Sequence, residues 1–79
     1  MQQKLIDFIT QKISELSHIP VQEIDVHASI LDLGLSSFLI AEVNIAVEET
    51  FGLELPFMVI AEGASITSLA EEMIPHGNK

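Results

Sequence analysis

Residues 2 to 17 place Leu5, Ile6, Ile9, Ile13 and Leu16 at helical spacing, with Gln, Lys, Asp and Glu between them. Apolar residues recurring every three or four positions mark one face of an α-helix. A helix that is apolar along one stripe has to bury that stripe against another element. The chain has limited means of doing so. It holds 79 residues, and a domain of that size buries only about 60% of its unfolded surface. There is no cysteine, so disulfides, thiolate metal sites and a Cys nucleophile are excluded. The aromatic residues are four Phe, so the core must be aliphatic. With 48% apolar residues, one compact core is within reach and disorder is not expected.

The rest of the chain supplies partners for that stripe. Pro20 stops helix propagation and restricts Ile19 to extended conformations. The stretch from 17 to 34 keeps Ile19, Val21, Ile24, Val26, Ile30, Leu31 and Leu33. A connection this apolar is expected to lie across the domain, with its side chains pinned into the core. Residues 36 to 52 read as a second helix, opened by a serine cap and closed by Gly52. "FMVIAEG" reads as a turn or two of helix after Pro56. Ser65 reads as the cap of a last helix carrying Ile66, Leu69, Ala70, Met73 and Ile74, with Pro75 as its stop and "HGNK" as a tail. Strict alternation of apolar and polar residues, the mark of a half-buried strand, is missing. The expected fold is all-α: a small four-helix bundle with a long first loop and a short third helix. Residues 1–79 are expected to form one domain, with an ordered core from about 2 to 74. Leu5, Ile9, Leu33, Val43, Val47 and Leu69 are expected in that core, joined by Leu39 and Ile40.

Charge and motifs narrow the chemistry. Twelve carboxylates face three lysines, for a formal net charge of −9. No Lys or Arg occurs between Lys12 and Lys79. Such a surface repels nucleic acid and anionic membranes and attracts basic protein patches. No apolar run approaches the ~20 residues of a membrane-spanning helix, and the N-terminal stretch lacks the apolar core of a secretory signal. His18, His27 and His76 share no ligand spacing, so no metal site is expected. A GxSxG elbow, a GxGxxG turn and a phosphate-binding loop are all missing, and a hydrolase triad needs a larger scaffold. No enzymatic activity is expected.

One feature is left over, the adjacent serines of "LGLSSFLIAEV". A serine at a helix N-terminus has two uses. Its hydroxyl can cap the helix. It also stands beside free N–H groups at the positive end of the helix dipole, where an attached phosphate is favoured.

The stretch resembles the signature of acyl and peptidyl carrier proteins, commonly Leu-Gly-x-Asp-Ser-Leu, whose serine receives 4'-phosphopantetheine from a phosphopantetheinyl transferase. Here the run is Leu33, Gly34, Leu35, Ser36, Ser37 and Phe38. Its register gives the attachment role to Ser37, and Ser36 stands where the family usually has Asp. The likeness continues on both sides. "HIPVQEIDVHASILDLG" resembles the family's first loop, "AEVNIAVEETFGLELP" its second helix and exit, and "SITSLAEEM" its final helix. Some carriers loaded with amino acids have Ser-Ser-Phe at the same place.

The resemblance implies a carrier that tethers acyl, aminoacyl or peptidyl intermediates as a thioester and presents them to enzymes in turn. It implies a partner-docking face on the second helix formed by Phe38, Ala41, Glu42, Ile45, Glu48 and Glu49, which also follow helical spacing. The expected partners are a phosphopantetheinyl transferase and loading ligases, acyltransferases or synthases with basic patches. The apolar "LPFMVIAEGAS" favours polyketide or nonribosomal peptide biosynthesis over primary fatty-acid synthesis. A start methionine and short tail favour a free-standing protein, although an excised domain would look the same; the protein is expected to be monomeric and cytoplasmic. The alternatives are a carrier-fold adaptor that is never modified and works only by docking, and an unrelated small helical interaction module in which the motif is a coincidence.

Overall fold

A computed structural model describes residues 2–74. Four α-helices follow in order: α1 (Gln2–Ser17), α2 (Ser37–Phe51), α3 (Phe57–Ala61) and α4 (Ile66–Met73). The protein is a small all-α bundle of the expected kind. Among the described residues the only extended pairing is one isolated antiparallel bridge between Ser29 and Ser65. Pro75, the tail that follows it and His76 lie outside the described residues.

The stripe of α1 is buried as its spacing predicts. Leu5, Ile6, Ile9 and Ile13 are in the core, and α1 packs on both α2 and α4. Val43 and Val47 meet them from α2, and Ile66, Leu69, Ala70 and Met73 from α4. Phe8 and Phe51 lock the two long helices edge to face, with ring centroids 5.2 Å apart. Such a pair adds about 0.5–1.5 kcal/mol beyond the area it buries. Leu16 departs from the expectation. It sits in the last turn of α1 and is 41% exposed.

The long connection between α1 and α2 is organised, but only in part as expected. It forms two short 3₁₀ turns, Val21–Glu23 and Ile30–Leu33. Backbone hydrogen bonds tie it to the start of α4: Ile30 N–H donates to Ala64 C=O at 2.8 Å, and Thr67 N–H donates to Val26 C=O at 3.1 Å. Ile24 and Ile30 are buried. Leu33, expected in the core, is only half-buried against it, as are Ile19, Val26, Leu39 and Ile40. Val21 and Leu31 point outward, 42% and 53% exposed. A 3₁₀ turn has three residues per turn, so a run of adjacent apolar residues cannot all face one side. Ile30 takes the inward position and Leu31 the outward one.

Asn44 lies midway along α2. In the structure its Oδ1 accepts a hydrogen bond from the Leu55 N–H at 2.8 Å. Leu55 is buried, 5% exposed. The bond thus satisfies a backbone donor that would otherwise be stranded, and fixes the approach to α3. Asn44→Ala leaves that N–H unpaired and is expected to cost about 1–3 kcal/mol, read as a lower midpoint in denaturant. Asn44→Asp keeps an acceptor and is expected to lose clearly less; equal losses would show that the bond does not matter.

Candidate functional site

The site is built by a turn, a cap and a helix start. Leu31 C=O accepts from Gly34 N–H, closing the second 3₁₀ turn. Gly34 has φ 73°, in the left-handed region, and nothing lies within 4 Å of where a Cβ would stand. Backbone conformation rather than lack of space therefore calls for glycine here. The chain then turns outward and enters α2 through Ser36.

The two serines divide the roles that sequence leaves to either. Ser36 is extended (φ −75°, ψ 157°), and its Oγ accepts from the Leu39 N–H at 3.1 Å. Ser36 C=O takes the Ile40 N–H at 3.1 Å. Ser36 is thus the N-cap, the serine cap expected at the start of this helix. Ser37 is the first residue of α2 itself and is exposed. A side chain inside the first turn cannot reach forward as a cap does, because capping requires the non-helical backbone of the preceding residue. The remaining N–H groups of the first turn, those of Ser37 and Phe38, take no partner among the described residues. An anion at this end is stabilised by about 0.3–1 kcal/mol.

The predicted docking face is brought together. Phe38 (73% exposed), Ala41, Ile45 (49% exposed), Glu48 and Glu49 all lie open on α2, with Glu42 half-buried beside them. Val43 and Val47 occupy the opposite, buried side of the same helix. Among the described residues the one ion pair is Lys12–Glu15 at 3.4 Å, so no described cation pairs with the carboxylates of α2. A second apolar surface, Phe57 and Met58 of α3, is 48% and 75% exposed. No cluster of three or more metal-ligating side chains occurs among the described residues. His18 and His27 are both exposed. No helix of the described residues is long and apolar enough to cross a membrane.

A four-helix bundle with an exposed serine at the start of its second helix is the architecture of a carrier domain. Residues 7–73 match the family model described as "Phosphopantetheine attachment site", and the chain belongs to that family. Domains of this family carry covalently attached 4'-phosphopantetheine, hold acyl intermediates on it and are not themselves catalysts. They work with phosphopantetheinyl transferases and with synthase enzymes. A curated relative, "Reducing polyketide synthase Preu2" of Preussia isomera, is 25% identical over 71 residues. The match takes in 90% of this chain and 3% of that protein. No solved structure matches the chain.

The site fits the group. It offers an open hydroxyl free of cap duty and unused N–H groups for a phosphate. The division of roles has a direct test in stability. Ser36→Ala removes the cap and is expected to cost about 0.5–2 kcal/mol. Ser37→Ala is expected to change stability by less than about 0.5 kcal/mol, as at other exposed positions. Thermal unfolding followed by circular dichroism ranks the two, and a larger loss at Ser37 would reverse the assignment.

Proposed function

We propose that Ser37 is the residue that carries 4'-phosphopantetheine, and that the chain is one monomeric carrier domain of a polyketide or nonribosomal peptide pathway. The observation that carries this reading is Ser37 itself, exposed at the first position of α2 while Ser36 does the capping. In the transferase reaction the Ser37 Oγ bonds to phosphorus and gives up its proton, and the phosphoanhydride bond of coenzyme A breaks, with adenosine bisphosphate leaving. The attached group supplies a terminal thiol on a flexible arm, to which cargo is joined as a thioester. The rest falls to the chain: it anchors the phosphate at a helix end and presents a face to each enzyme. Tethering raises the effective concentration of cargo at whichever enzyme is docked. The polyketide context is supported by the synthase relative, and the single-domain reading by the joining of buried side chains from all four helices into one core.

Docking on α2 follows from the exposed face. Phe38 and Ile45 form an apolar centre with Glu42, Glu48 and Glu49 around it. Buried apolar contacts set how long such a complex lasts, whereas rim charges set how fast it forms. Enzymes that load and unload this carrier are therefore expected to meet it with Lys and Arg.

Incubation with coenzyme A and a broad-specificity transferase is expected to add the mass of one phosphopantetheine to the intact protein. Ser36→Ala should keep that addition and Ser37→Ala should lose it. No addition to the parent would favour the unmodified adaptor. The docking face is tested separately. Replacing Glu48 and Glu49 with Lys is expected to slow loading about tenfold or more at low salt, and much less near 0.15 M, where screening acts over about 8 Å. Ile45→Ala should slow loading with little salt dependence. Unchanged loading of the folded charge-reversed protein at low salt would move the docking surface to Phe57 and Met58.

A further inference from the structure

Residues flanking Ser37 also line a groove. Ser36, Phe38, Leu39 and Glu42 of α2 meet Leu16 of α1 around an open space of about 190 Å³. Leu16 accounts for one side of it and is apolar, yet it stands 41% exposed at the end of α1. Phe38 and Leu39 continue the apolar lining. Ser36 and Glu42 contribute oxygens; a serine hydroxyl keeps a second lone pair and a proton even while it caps a helix.

The interior offers no comparable room. The apolar space among Ile9, Val43, Leu69 and their neighbours amounts to about 10 Å³, roughly what a single water requires. A larger groove of about 350 Å³ is lined by α1 and the first connection, Thr10 and Val21 among them, and includes no residue of α2. The groove at Leu16 is the one that begins beside the serine.

On the reading that Ser37 bears the arm, the geometry points to this groove as the resting place of the arm's first segment when no enzyme holds it. That segment is chemically matched. Past the phosphate the group has a branched unit with two methyls and a hydroxyl, and then amides. The methyls suit Leu16, Phe38 and Leu39, and the N–H and O–H donors suit Glu42 and Ser36. The phosphate itself belongs at the N–H groups of the helix end, and Glu42 lies more than one turn further along α2. Cargo is a poorer occupant, because it hangs from the far end and would need the arm doubled back. Phe38 and Glu42 belong both to the groove and to the docking face, so an enzyme that binds α2 displaces the arm as it arrives.

The test is a comparison of methyl-labelled and nitrogen-labelled protein before and after modification, with intact mass recorded on the same samples. In the modified protein, shift changes are expected at Leu16, Leu39 and Glu42 as well as at Ser37. Nuclear Overhauser contacts are expected between the arm's two methyls and the methyls of Leu16 and Leu39. Leu16→Gln should gain the same mass, keep its circular dichroism and lose those contacts. Changes confined to residues 36–38 in protein of the correct mass would overturn the resting site and leave Ser37 as the attachment point. Contacts to Ile9, Val43 or Leu69 would place the arm in the core and also overturn it. Concentration-dependent shifts at Leu16 in unmodified protein would give the groove to a second copy of the chain, with the same consequence. If no mass is gained, the attachment reading fails and the resting site fails with it.

Discussion

Two backbone hydrogen bonds, from Ile30 N–H to Ala64 C=O and from Thr67 N–H to Val26 C=O, hold the long connection against the start of α4. Without them the segment after Pro20 would have little regular structure to satisfy its polar backbone. With them, Ile24 and Ile30 are delivered into the core between the helices. The second 3₁₀ turn is then fixed in place, and Gly34 and Ser36 set the point from which α2 departs. The accessible hydroxyl at the start of α2 is therefore placed by contacts made some thirty residues further along the chain. The other end of that contact is secured by a capping box. Ser65 Oγ accepts from Ser68 N–H, and Ser68 Oγ accepts from Ser65 N–H.

Helices were largely legible because their signals are local. The stripe of α1, the stop at Gly52, the short α3 after Pro56 and the Ser65 cap of α4 each depend on residues within a few positions of one another. The connection between α1 and α2 was less legible. Ile30 and Leu31 are chemically near-equivalent neighbours, and only the direction of a 3₁₀ turn decides that the first is buried and the second exposed. Leu33, in the same turn, is half-buried against the core for the same reason. Leu16 continues the helical period faithfully, but its exposure shows that the packed surface does not cover the last turn of α1. Asn44 gave no signal, since its partner Leu55 is eleven residues away and lies beyond the end of the helix.

At the site, residue type and spacing leave two adjacent serines, and it is the register of the family resemblance that gives the attachment role to Ser37. Local chemistry could not separate the capping serine from the exposed one, because both are the same residue and a helix boundary is uncertain by at least one position. The backbone dihedrals of Ser36 separate them. The charge pattern was legible in full from composition. What composition lacks is the placement of Glu42, Glu48 and Glu49 around Phe38 and Ile45, which depends on Val43 and Val47 turning the other way.

On the proposed attachment at Ser37, the two serines separate the handle from the hinge. The hydroxyl that secures α2 is Ser36, so chemistry at Ser37 exchanges none of the hydrogen bonds that the fold relies on. In a thermodynamic cycle linking folding and the proposed modification of Ser37, the two folding free energies then differ by the interaction of a phosphate with the helix end and by whatever contacts the arm makes in the groove at Leu16. The cap that holds the start of α2 is therefore the same in the blank chain and in a chain modified at Ser37.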